Sequence, residues 1–206
     1  MRPRDLIMFD FDGVIADSLD VMHGATVKAL RDHGLGHLAS DDLVPRLVES
    51  NWFEGLRRMG VPAPVAAEMD DLIAGSVAAG EVEPYDGIRE VIAELAERHS
   101  VVIVTSNRSD IVADFLARWD FTGIGEVLGG DKGKSKVPKL RGAVSRYPHD
   151  GAFFIGDSIG DIDEGRAAGV ATVAVTWGWH PEEQLLASLP DLVAHSPQEL
   201  LELLLR

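Results

Sequence analysis

The chain has 206 residues, 46% of them hydrophobic and 6% aromatic, enough for one large domain or for a core carrying a smaller insert. Its formal net charge of −15 sets up a field that repels phosphate backbones and anionic membranes, so neither nucleic acid nor membrane is expected as a partner. The absence of cysteine excludes disulfides, thiolate nucleophiles and thiolate metal sites and fits a reducing, cytoplasmic setting. The first apolar run reaches Asp10 too soon for a signal peptide, and no stretch is long and apolar enough to span a bilayer.

In chain order, Leu6 to Phe9 contains no polar residue and is too short for a helix, which predicts a strand buried on both faces of a parallel sheet. It delivers Asp10-Phe11-Asp12-Gly13 at its carboxyl end, where such sheets bind ligands, and a period of two aims both carboxylates the same way. The plainer reading is a tight turn, since Asp-Gly after an apolar run is a common turn sequence. Helical periodicity then recurs over residues 19–33, 41–59 and 64–79, broken by Gly34, Gly36, Gly60 and Pro62, with no strand-like alternation. Residues 16–83 are therefore expected to form a small helical insert, with residues 1–15 and 84–206 as the core. Within the insert Arg46, Asn51, Trp52, Arg57 and Arg58 are candidates to meet a substrate, each of which also suits a solvated or packing position.

From Ile88 the pattern alternates between helix and strand. Residues 88–98 read as an amphipathic helix and 101–104 as a buried strand ending at Thr105-Ser106-Asn107, where a hydroxyl and backbone N–H groups can hold a phosphoryl oxygen or simply cap the next helix. Gly133-Lys134-Ser135 ends like a phosphate-binding P-loop, but the first glycine that motif needs falls on Leu128. The run 152–156 reads as another strand and brings Asp157 to its end, with Asp161 one helical turn on, so the two carboxylates can converge on one cation. Asp163 and Glu164 read as acids favoured by the helix dipole. A last strand over 171–176 leads to Trp177-Gly178-Trp179-His180-Pro181 and an amphipathic tail. His180 reads as a loop residue, and none of the seven histidines has metal-site spacing.

The string Asp-Phe-Asp-Gly-Val-Ile-Ala-Asp-Ser from Asp10 to Ser18 resembles the first motif of the haloacid dehalogenase superfamily. The strand ending at Thr105, the lysine-bearing loop 132–139 and Gly-Asp-x-x-x-Asp over 156–161 resemble its second, third and fourth motifs, in order. The resemblance covers the whole chain and implies an α/β fold, a doubly wound Rossmann-like parallel sheet with a helical cap. It implies a phosphatase: Asp10 as nucleophile, Asp12 as general acid/base, Thr105 binding phosphate with Ser106 and Asn107 beside it. It also implies Mg²⁺ held by Asp10, the Asp12 carbonyl and Asp157, with Asp161 acting through water. The substrate would be a small phosphorylated metabolite, with phosphoglycolate the nearest family precedent. Among Lys132, Lys134, Lys136 and Lys139, the phosphate-binding lysine is assigned to Lys136, because Ser135 makes an N-cap that starts a helix there. Val137 stands where the family usually has proline, so Lys134 stays open. A sugar phosphomutase of the same superfamily is the alternative enzyme, disfavoured because Gly156-Asp157 and Asp161 take the phosphatase form and His23 lies one residue out of register. A P-loop nucleotide-binding protein and a non-enzymatic binding module are the more distant alternatives.

Overall fold

The computed structural model describes residues 4–205 and is built around a six-stranded parallel sheet. Strand β1 (Leu6–Phe9) lies inside it, with all four side chains fully buried. Ile7 and Phe9 enter one hydrophobic cluster and Leu6 and Met8 another, so the strand's period of two splits its side chains between two covered faces. Each such burial is worth about 1.5–3 kcal/mol, which makes this strand the anchor of the fold.

A tight turn follows, in which the Phe11 carbonyl accepts the N–H groups of Ile15 and Ala16, and β2 (Ala16–Asp17) leaves the sheet. Four helices come next: α1 (Leu19–Asp32), α2 (Leu43–Leu47), α3 (Trp52–Arg58) and α4 (Ala63–Ala79). The chain returns through β3 (Glu83–Pro84), which pairs antiparallel with β2. The periodic stretch 41–59, expected as one helix, is in fact two. Asn51 is extended, and its side chain accepts the N–H of Phe53 as the N-cap of α3. The apolar rhythm runs unbroken across the gap because Val48 and Trp52 are both buried, so periodicity alone does not reveal the break.

The remainder alternates: α5 (Ile88–Ala96), β4 (Ser100–Val104), α6 (Ser109–Arg118), β5 (Ile124–Leu128), α7 (Lys136–Arg146), β6 (Ala152–Gly156), α8 (Ile159–Ala168), β7 (Ala171–Val175), α9 (Glu182–Ala187), β8 (Leu192–Ala194) and α10 (Pro197–Leu204). Strand order is β5-β4-β1-β6-β7-β8, every neighbour parallel. The sequence reading passed over β5 and β8. Both are edge strands whose side chains are only partly covered, which leaves neither a continuous apolar run nor a clean alternation. After β1 the chain places β4 and β5 on one side and β6 to β8 on the other, so the order reverses at β1. The crevice at the carboxyl ends of such strands is where doubly wound sheets bind ligands. Asp10 stands in it.

Candidate active site

Asp10 follows β1 directly, its N–H bonded to the Ile155 carbonyl at 2.9 Å. Phe11 points the other way and packs edge-on against Phe115, ring centroids 5.0 Å apart, which leaves Asp10 and Asp12 on the crevice side. Gly13 has φ of +80°, a conformation that favours glycine, and a Cβ there would overlap the Asp157 carboxylate. Gly178 is likewise pressed against Asp157, so two loops close on that carboxylate with no room for a side chain. The Trp179 N–H fixes its Oδ2 at 2.8 Å.

Asp10, Asp157 and Asp161 each offer an oxygen within 4.8 Å of the others, and all three are buried. Lys136, 6% exposed, places its Nζ 2.7 Å from Asp10 Oδ2 and 2.5 Å from Asp161 Oδ1. Asp10 Oδ1 is buried with no hydrogen-bond partner among the described residues. Three carboxylates faced by one ammonium leave an excess of negative charge. Burial pushes the Asp10 carboxyl up to about 7 despite Lys136, and burial followed by the Asp161 and Asp10 charges holds Asp157 well above the ordinary range. An orphaned carboxylate oxygen, an all-oxygen donor set and crowding of acids at one point fit a hard divalent cation. Asp161 is held besides by the capping box of α8, its Oδ2 accepting from the Ser158 hydroxyl at 2.6 Å and the Ser158 N–H at 3.2 Å.

Asp12 accepts the Ser18 hydroxyl at 2.8 Å and the Asn107 amide at 2.9 Å, and burial raises its carboxyl above the usual value. Thr105 is buried at the end of β4, its Oγ1 accepting the Asn107 N–H at 3.0 Å. Its hydroxyl proton stays available to a ligand oxygen. The helix carrying Lys136 starts where expected: Ser135 caps it by accepting from Val137, and Pro138 falls in its first turn. Glu164 fixes that start, taking the Ser135 hydroxyl at 2.9 Å and the Lys136 N–H at 2.8 Å through one oxygen.

All eight residues singled out on β1, β4, α7 and the β6–α8 turn line one cavity of about 270 Å³: Asp10, Asp12, Thr105, Ser106, Asn107, Lys136, Asp157 and Asp161. Between β2 and β3, Met22, Val48, Asn51, Trp52, Phe53 and Ile73 supply its far wall. Asn51 bridges the two sides, donating to the Ser106 hydroxyl at 3.2 Å and the Lys134 carbonyl at 2.9 Å. Arg46, Arg57 and Arg58 do not line it; Arg57 and Arg58 are exposed and engage Glu54 on their own helix. His23 does not reach it either, its Nε2 lying 3.0 Å from the Ser40 carbonyl. His180 is a buried residue, 2% exposed, with both ring nitrogens unpartnered among the described residues. Sequence reasoning missed Ser18, Glu164 and the Trp179 N–H. Ser18 closes the first motif and was within reach, whereas Glu164 meets Lys136 only because α7 and α8 pack together.

The family model described as "Haloacid dehalogenase-like hydrolase" matches residues 7–175. A phosphoglycolate phosphatase of Synechococcus elongatus is 26% identical over 204 residues, covering 95% of each chain. One from Caulobacter vibrioides is 28% identical over 207 residues, covering 92% of this chain and 86% of the other. The crystal structure of a hydrolase from Pseudomonas syringae superposes with a TM-score of 0.78 at 19% identity, covering 98% of each chain. A haloacid dehalogenase-like family protein from Streptococcus pneumoniae gives 0.74 at 20% identity, covering 98% of this chain and 99% of the other. Among the described residues no helix is long and apolar enough to cross a membrane.

Proposed function

The chain belongs to the haloacid dehalogenase-like hydrolases, and from that premise we propose that it hydrolyses a small phosphomonoester in the cytoplasm through a phosphoryl group carried on Asp10. The observation that carries this reading is the convergence of a buried carboxylate bearing an unpartnered oxygen, a buried lysine and a second acid at the sheet's switch point. The names of the relatives make phosphoglycolate the first substrate to try.

Asp10 attacks phosphorus, and the oxygen–phosphorus bond to the leaving group breaks as the new one forms. Asp12, whose carboxyl is raised above its usual value by burial, gives a proton to the departing oxygen. It then takes a proton from the water that attacks the aspartyl phosphate, which restores Asp10 and releases inorganic phosphate. Ser18 and Asn107 hold Asp12 in line for both transfers. Thr105, Ser106 and Asn107 bind the phosphoryl oxygens, and Lys136 neutralises charge between them and Asp10. A divalent cation, which we take to be Mg²⁺ held by Asp10, Asp157 and the Asp12 carbonyl with Asp161 beside it, would offset the acids' repulsion of a phosphate dianion. The segment between β2 and β3 acts as the cap: Asn51, Trp52 and Phe53 meet the leaving group and keep bulk water out.

The test is hydrolysis of a generic aryl phosphate with and without Mg²⁺. Turnover is expected only with metal, and Asp10→Asn is expected to abolish it while the protein stays folded. Full activity in excess EDTA, or an active Asp10→Asn variant, contradicts the proposal.

A further inference from the structure

A second buried lysine lies one helical turn from Lys136, and the mechanism above leaves it unused. Lys139 is 6% exposed, and its Nζ donates to the Thr105 carbonyl at 2.5 Å and to the Gly129 carbonyl at 3.2 Å. No carboxylate lies within ion-pair distance of it among the described residues. A buried ammonium costs free energy unless its setting rewards the charge, so one held only by two carbonyls calls for a reason.

The reason lies in what those carbonyls terminate. Thr105 directly follows β4 and opens the loop read above as the phosphoryl-binding loop; Gly129 directly follows β5 and opens the neighbouring one. The two loops touch at every level. Gly130 N–H donates to the Asn107 carbonyl at 2.6 Å, Ser109 donates through both N–H and hydroxyl to Asp131, and Gly129 N–H donates to Ser109 at 3.1 Å. A Cβ on Gly129 or Gly130 would overlap the backbone of the Thr105 loop. Of these ties the Ser109–Asp131 pair is exposed or partly exposed, whereas Gly129 and Gly130 are buried. Lys139 adds the buried side-chain tie, one ammonium spanning both carbonyls.

We propose that Lys139 is a positioning residue for the phosphoryl site, its ammonium drawing the carbonyl ends of β4 and β5 together so that Thr105 Oγ1, Ser106 and Asn107 face the reacting phosphate. Lys136 and Lys139, three apart on α7, thus divide the work: one meets the nucleophile, the other sets the loop opposite it. The inference rests on the reading of that loop as the phosphoryl-binding one. Because the clamp depends on charge, it weakens when the amine loses its proton. Burial pushes Lys139 down to about 8, with Lys136 on the same helix acting in the same direction and Asp10, Glu164 and Asp131 opposing.

The experiment is calorimetric titration with tungstate, which remains a dianion over the whole range used, in the presence of Mg²⁺, on the unaltered protein and on Lys139→Gln. Lys139→Gln is expected to bind about tenfold more weakly near neutral pH, the loss expected for a charge-assisted hydrogen bond. The unaltered protein should lose affinity between about pH 7 and about pH 9.5, and Lys139→Gln should lack that fall. A folded Lys139→Gln with unchanged affinity overturns the inference. Should the variant fail to fold, constant affinity of the unaltered protein across that range overturns it equally. Failure of the unaltered protein to bind tungstate at all overturns the phosphatase reading and this inference with it.

Discussion

In the proposed mechanism Lys136 is the residue on which phosphate binding and nucleophile geometry both turn. Its ammonium touches Asp10 and Asp161 in a buried setting, whereas Lys132 and Lys134 are exposed. A buried charge-assisted contact is worth about 1.5–3 kcal/mol, so Lys136→Ala should cost at least about tenfold in kcat/KM while Lys132→Ala stays near the unaltered value. Alanine substitution at each position, read in steady-state kinetics, checks this; a near-normal Lys136→Ala would displace it from the site. The acids make a separate prediction for the chelated protein. Asp10 titrates near 7 when folded, against an ordinary value of 3.8, so between those limits the folded chain holds a proton that the unfolded chain has lost. Stability therefore falls as pH rises through that window, and the raised Asp157 acts with the same sign. Thermal melting in EDTA should show Tm dropping from about pH 4 to about pH 7, with the gain on adding Mg²⁺ largest at the upper end. A Tm that rises across the window contradicts the electrostatic account. Asp10, Asp12 and Asp157 were legible in the sequence because each follows an apolar strand at a fixed offset. Glu164 and Lys139 were not, because their contacts, with the start of α7 and with the carbonyls after β4 and β5, come from tertiary packing that no local pattern encodes.

At the level of elements, the closure between α8 and the loop joining α2 to α3 is the feature most open to test. Gly160 in the first turn of α8 donates its N–H to the Val48 carbonyl at 3.3 Å, and a Cβ on it would overlap the Ser50 carbonyl. Gly160→Ala should leave α8 intact, since alanine favours helix, but push residues 48–51 away from the cavity. Overpacking of this kind costs about 1–3 kcal/mol, and KM should rise several-fold while the fold persists. Unaltered KM and unaltered melting would show that the closure carries no weight. The same geometry redirects the search for specificity within the segment. Trp52→Ala is expected to reorder the ranking of phosphorylated substrates, whereas Arg57→Ala, which removes an exposed side chain paired with Glu54, should leave it unchanged. The sequence exposed the helical character of this segment through its 3.6-residue rhythm. It hid the break before Asn51, because the residues that bring that loop to the cavity are themselves buried and keep the rhythm going. The inner strands were equally legible from their apolar runs, while β5 and β8 escaped because edge strands carry only part of that signal.

Across the whole molecule, a chain of net charge −15 gathers three buried acids at the point where the strand order of its sheet reverses. Such a site repels phosphate unless a cation and buried lysines counter the field, so metal dependence, lysine burial and the switch-point topology stand or fall together. Their common claim is that a phosphoryl group rests covalently on Asp10 during turnover. Acid quenching of the protein during turnover of an aryl phosphate with Mg²⁺, followed by peptide mass spectrometry, tests it most directly. The Asp12→Asn variant makes the test sharper, because an aryl leaving group departs without a proton donor while hydrolysis of the intermediate still needs the base. The account predicts a phosphoryl adduct on the peptide containing Asp10, enriched in Asp12→Asn and absent in Asp10→Asn. Steady release of inorganic phosphate with no adduct on that peptide, or an adduct on another residue, would contradict it.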